Sequence, residues 1–195
     1  MQSRSHRRAI QSAYGQERPR GAVSLKSRER LRRQFQPRRV RILFVGEAPP
    51  ASGRFFYRAD SGLYRAIRDT FMTAFPSLRS SNGEFLEAFC EMGCYLVDLC
   101  GEPVDQMRPQ LRHCVCVEGE ARLAHMLRKL HPMIIVTVVR SIGSSVLRAE
   151  AAAGWSGRHL ELPYPGRWHH LRMTFRRKLT PLLRTALRVE QGKLP

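Results

Sequence analysis

The sequence predicts a three-layer α/β/α fold around a central, mainly parallel, four-stranded sheet, and three observations predict it. From Val40 onward, short apolar runs alternate with stretches of helical periodicity. The clearest run, Met133–Val139 (MIIVTVV), is uncharged and rich in β-branched residues, as a strand buried on both faces should be. The chain has 195 residues, 43% of them hydrophobic, which suits one domain with a substantial core and leaves little room for a second. Strands separated by helices require right-handed crossovers, and these cover a parallel sheet on both faces. No internal repeat is visible.

Val40–Val45 reads as the first strand, ending at Gly46, with a Pro/Gly-bearing loop from Glu47 to about Asp60. Leu63, Ile67, Thr70, Phe71 and Ala74 recur at helical spacing behind Ser61, a suitable cap, and Phe75-Pro76 closes that helix. Ser81-Asn82 can cap a second helix through Phe85, Leu86 and Phe89 to Gly93. Cys94–Cys100 (CYLVDLC) is a second buried strand. A helix is expected over Glu118–Leu130, with Leu123, Met126, Leu127 and Leu130 on one face. Met133–Val139 is the third strand, followed by a helix from Ser141 to Ala153 that stops at Gly154. His159–Tyr164 is a weaker fourth strand. A final helix spans His170–Leu187 through Leu171, Phe175, Leu179 and Leu183, with Pro181 interrupting or kinking it.

Charge separates the chain into two parts. Lys and Arg number 34 against 16 Asp and Glu, a formal net charge of +18 that favours polyanionic partners, nucleic acid being the commonest. Residues 1–41 hold thirteen of the cations and only Glu17 and Glu29 as acids, a net +11. Residues 1–39 therefore read as a basic, flexible arm, with a short helix possible over Ser27–Phe35, and residues 40–195 as the α/β domain. The arm suits salt-sensitive binding to phosphate, or a leader with no specific role. Its start lacks an apolar segment of the secretory kind, although an Arg- and Ser-rich, acid-poor start also matches an organellar transit peptide. No stretch approaches the ~18 apolar residues of a membrane-spanning helix, so no membrane partner is expected.

The five cysteines, Cys90, Cys94, Cys100, Cys114 and Cys116, crowd into 27 residues, unlike a disulfide framework. Cys90 and Cys94 are spaced to share a helix face and ligate a metal. Gly93 ends that helix, however, and no C-x-x-C pair occurs, so buried free thiols are expected, with no metal and no cofactor.

In a parallel α/β sheet, ligands bind beyond the carboxyl ends of the strands. Here those ends are Gly46-Glu47, Asp98, Arg140-Ser141 and Tyr164-Pro165. A carboxylate after the first strand, another inside the second and a Tyr-Pro-Gly-Arg-Trp loop after the fourth are odd residues for a core. Gly46 permits close backbone approach, and Pro49 and Pro50 stiffen the turn beside it. Phe55-Phe56-Tyr57 beside Arg54 offers a stacking face for a flat base, or a plug for the sheet edge.

GEAPP at 46–50 and GRFFYRADSGLYRAI at 53–67 resemble the first motif of the uracil-DNA glycosylase superfamily, closest to the branches with GEAPG followed by G-x-P-F. The similarity continues in order through YLVDLC, MIIVTVVRSIGSSVL and LPYPGRWHH, and covers roughly residues 40–180. The resemblance implies a base pocket lined by Gly46, Ala48 and Pro49, with Phe56 as the stacking ring. Asp98 falls where the family usually has an Asn that reads N3–H and O4 of uracil. Tyr164-Pro165-Gly166 falls where many members have His-Pro-Ser, whose His donates to O2. Arg167 or Trp168, with His169 beside them, would fill the gap left by the extruded nucleotide. Ala48 stands where other branches carry a water-positioning Asp or Asn, which leaves Glu47 as the catalytic carboxylate and Tyr164 as its counterpart across the base. His169 or His170 could instead supply the missing imidazole. Residues 1–89 contain no cysteine, so the iron–sulfur cluster of some branches is not expected.

The activity so implied is hydrolysis of the N-glycosidic bond of uracil, or of a related deaminated base, in DNA. The protein would be a monomer working wherever DNA is kept: the cytoplasm of a bacterium, at the nucleoid, or an organelle or the nucleus of a eukaryote. The substitutions at Ala48, Asp98 and Tyr164 also suit a member of the same fold that binds nucleic acid with altered or lost catalysis. A third reading, an unrelated doubly wound enzyme acting on a nucleotide or phosphoester, finds neither G-x-G-x-x-G nor a GK[ST] loop.

Overall fold

The computed structural model describes residues 25–78, 82–166 and 168–187. Four strands, β1 (Ile42–Gly46), β2 (Cys94–Asp98), β3 (Ile134–Thr137) and β4 (Arg158–Glu161), form one parallel sheet in the order β2-β1-β3-β4. All residues of β1 and β2 are buried, which is why these strands read as unbroken apolar runs. The helices are α1 (Leu25–Gln34), α2 (Gly62–Ala74), α3 (Asn82–Glu91), α4 (Pro109–Leu130), α5 (Gly143–Ala153) and α6 (His169–Ala186). α4 packs with α5 and α2 with α6 in a three-layer α/β/α arrangement. No described helix is long and apolar enough to cross a membrane.

Local chemistry fixes several boundaries. Ser61 Oγ accepts from the Tyr64 N–H at 3.0 Å and starts α2. Gly93, at φ +77°, turns the chain out of α3 into β2, a conformation that favours glycine. Pro181 does not break α6 and lies on its exposed side. β2 ends at Asp98 and β4 at Glu161, both short of their expected ends, so Leu162–Tyr164 belongs to the loop that follows β4. β4 is the least apolar strand, and a partly buried chain of polar side chains ties it to β3 and α5. His159 meets Glu150 of α5 through Nδ1 at 3.0 Å and Thr137 Oγ1 through Nε2 at 2.8 Å.

α4 begins nine residues before the expected Glu118. The run HCVCVEG has few strong helix formers, and Gly119 looks like a break. Gly119 is there for close approach. A Cβ on it would lie 2.4 Å from the Leu99 carbonyl oxygen, so only glycine lets α4 pack against the end of β2.

α1, assigned by composition to the basic arm, docks on the domain through its arginines. Arg28 and Arg32 are buried, and Arg28 donates to the Gly101 carbonyl and to Glu102 Oε2, each at 3.0 Å. Residues 1–24 of the expected arm lie outside the described residues.

Candidate functional site

β1 is the switch point of the sheet, with β2 on one side and β3 on the other, and a crevice is expected where the order reverses. An open cleft of about 800 Å³ lies there, bordered by the segments that follow all four strands. Its size is that of a small-molecule site. Gly46, Glu47, Ala48, Pro49, Phe56, Asp98 and Tyr164 all border it. Trp168 and His169 lie at the start of α6 and do not, nor does His170, although Arg172 one turn later does. Arg167 lies outside the described residues.

Glu47 is held by partners from α4. Arg112 grips its carboxylate at both oxygens, with Nε donating to Oε1 at 2.6 Å and Nη2 to Oε2. The Cys116 thiol, one helical turn on, donates to Oε1 at 3.8 Å. A bidentate guanidinium fixes the plane of a carboxylate and uses about half of its acceptor sites, leaving the rest for a water or ligand. The pairing spans 65 positions in sequence, and Arg112 was not anticipated; had α4 been traced back to Pro109, Arg112 and Cys116 would have fallen on one face.

Asp98 pairs in register with Gly46, and a Cβ on Gly46 would lie 2.7 Å from Asp98 Oδ1. The carboxylate therefore packs flush against the bare backbone at the end of β1. It is 8% exposed and separates the cleft from a water-sized cavity bordered by Arg28, Glu29, Arg32 and Arg122. Burial pushes its pKa up to about 6, against the opposing pull of Arg32, Arg122 and Arg28. Its side chain makes no hydrogen bond among the described residues, while Arg122 donates to the Asp98 and Leu99 carbonyls. A carboxyl in this state can be switched between donor and acceptor near neutral pH.

The three aromatics divide their work. The Tyr57 hydroxyl accepts from the Leu96 N–H at 2.8 Å and donates to the Leu96 carbonyl at 3.0 Å, capping the edge strand β2, and burial holds it well above the ordinary phenol pKa. Phe55 is buried and borders the cleft, its N–H donating to Asp60 at 2.7 Å. Phe56 also borders the cleft but is only 3% exposed, its ring packed against Tyr57, Tyr64 and Phe89 at centroid distances of 5.0–5.7 Å. It serves the core and the cleft wall together.

Tyr164 is 46% exposed on the opposite rim. Partial burial raises its pKa, with Arg65 opposing, so the phenol stays protonated and can donate. Arg54, Arg65 and Arg172 also border the cleft, and no carboxylate pairs with any of them among the described residues. Such a rim attracts phosphate.

The fold and the cleft define a parallel, doubly wound α/β protein with an open cleft at its switch point. Neither a scan against protein-family models nor a search of curated proteins finds a match for the chain.

Proposed function

We propose that the protein is a DNA glycosylase of the uracil type, which opens base excision repair by hydrolysing the N-glycosidic bond of uracil or a related deaminated base in DNA. The observation that carries this reading is the convergence of seven residues, from the end of β1 and the loop after it, from β2, and from the loop after β4, on one cleft where Asp98 packs against Gly46. The resemblance of GEAPP and the later segments to the uracil-DNA glycosylase superfamily supports the assignment of roles.

In the reaction a water oxygen adds to C1′, the bond from C1′ to the base nitrogen breaks, and its electron pair leaves with the base. One water proton ends on the base and the other remains in the new hydroxyl. Glu47, fixed by Arg112, orients the water with its remaining lone pairs. Tyr164 and the backbone N–H groups of Glu47 and Ala48 stabilise charge gathering on the departing base. Protonated Asp98 donates to O4 and accepts from N3–H, as an Asn would; ionised, it can only accept and favours a base with two donors. Extruding a base costs a few kcal/mol, and phosphate contacts to Arg54, Arg65 and Arg172 offset it. Trp168, 60% exposed at the start of α6 beside the cleft rather than on it, is the side chain assigned to fill the vacated stack.

A second reading, a nucleic-acid-binding member of the same fold with altered catalysis, is favoured by one observation: the Arg112 guanidinium already occupies Glu47. Strand-scission assays separate the two. Oligonucleotides with one uracil, single-stranded or paired, are incubated with the protein and treated with alkali. The glycosylase reading expects scission at uracil that falls by at least ~100-fold in Glu47→Gln. Salt-dependent binding without scission at any deaminated base sinks it in favour of the second.

A further inference from the structure

Behind Glu47, two thiols lie within reach of each other. Cys100 Sγ and Cys116 Sγ are 3.6 Å apart, with the Cys100 thiol donating to Cys116, and neither is in a disulfide. A disulfide needs ~2.05 Å, so the gap closes by roughly 1.6 Å, a distance side-chain rotation can supply. Buried cysteines commonly act as small hydrophobes. This pair differs, because Cys116 also donates to the Glu47 carboxylate and stands one helical turn from Arg112. Cys100 is tied to the same residue through its backbone, its N–H donating to the Glu47 carbonyl at 2.7 Å.

We infer that Cys100 and Cys116 are a redox modification site, a dithiol that a peroxide converts to an intramolecular disulfide behind the cleft. Cys116 is the attacking sulfur. It is 6% exposed against 2% for Cys100, so an oxidant meets it first. The hydrogen bond from Cys100 lowers its pKa, assisted by the Arg112 charge and opposed by burial and by Glu47, while the Cys100 thiol is raised. The Cys116 thiolate attacks one peroxide oxygen; the S–O bond forms, the O–O bond breaks, and the departing hydroxide takes up the thiol proton as water. The Cys100 sulfur then attacks the sulfenic sulfur. The S–S bond forms, the S–O bond breaks, and the second hydroxide leaves as water with the Cys100 proton. Two thiols are oxidised by two electrons in all, and the peroxide is reduced to two waters. A dithiol reductant reverses the change. Closing the bridge draws Cys116 from Glu47 Oε1 on the helix that carries Arg112, so oxidation disturbs the grip on Glu47.

The test uses the full chain and needs no nucleic acid, so its outcome is read separately from that of the glycosylase assay. The protein is treated with hydrogen peroxide, denatured in an alkylating reagent, digested and analysed by mass spectrometry. The expected product is a peptide pair joined through Cys100 and Cys116, two hydrogens lighter than the reduced pair, with Cys90, Cys94 and Cys114 alkylated. Dithiothreitol should restore alkylation at both sites. Cys100→Ser should leave Cys116 as a sulfenic or sulfinic acid with no joined peptide. The inference is overturned by both thiols remaining alkylatable, by bridging between other cysteines, or by over-oxidation of Cys116 in the unmutated chain without a joined peptide.

Discussion

Asp98→Asn should stabilise the protein at alkaline pH and do far less near pH 4. The Asp98 carboxyl is pushed from an ordinary 3.8 to about 6 because burial against Gly46 outweighs the attraction of Arg32, Arg122 and Arg28. Between those values the unfolded chain has released the proton and the folded chain retains it, so folding stability falls as pH rises through the window. Two units correspond to about 3 kcal/mol, present in full below pH 4 and lost above pH 6. Asparagine cannot ionise and escapes the loss. The variant's advantage should therefore grow by about 3 kcal/mol between pH 4 and pH 8, or roughly 6–12 °C in melting temperature for a domain of this size. Any constant offset from the added amide cancels when the two pH values are compared. Calorimetry of both proteins at pH 4, 6 and 8 measures it, and an advantage that is the same at every pH would refute the burial argument. The same variant reports on recognition: under the proposed chemistry, an amide that donates at every pH should extend uracil processing to alkaline pH.

Gly119→Ala should destabilise by ~1–3 kcal/mol, because the added Cβ meets the Leu99 backbone at 2.4 Å. In an ordinary helix interior the exchange gains up to ~1 kcal/mol, so the sign of the change in urea midpoint decides the matter. Tyr57→Phe should cost ~1–3 kcal/mol, since both backbone groups of Leu96 at the sheet edge lose their partner. An unchanged urea midpoint would show that the edge is capped by other means. Gly46→Ala forces a Cβ to within 2.7 Å of Asp98 Oδ1; the chain should fold, detected by circular dichroism, yet lose its processing of uracil. Full activity in that variant would remove Asp98 from the site.

The sheet was legible because its central strands are buried on both faces and so appear as continuous apolar runs; β1 and β3 fell inside the expected spans. Tertiary contacts governed what was missed. Gly119 suggests a helix break until the Leu99 carbonyl is seen beside it. The short helix over Ser27–Phe35 was readable, but its docking was not, because α1 has few apolar residues and packs by buried arginines instead. The residues at the strand ends were visible as oddities, a carboxylate in a strand and prolines beside a glycine. Their partners were not, because Arg112 lies 65 positions from Glu47 and the arginines near Asp98 come from α1 and α4. Periodicity reports which face a residue occupies, never which distant side chain it will meet.

Quantifying free base tests the central claim most directly. A uracil-bearing oligonucleotide is incubated with the protein, and the supernatant and strand are analysed together by mass spectrometry. The account predicts one free uracil for each abasic site formed, with both reduced by at least ~100-fold in Glu47→Gln. A folded, DNA-binding protein that releases no base from uracil or any other deaminated substrate would contradict it.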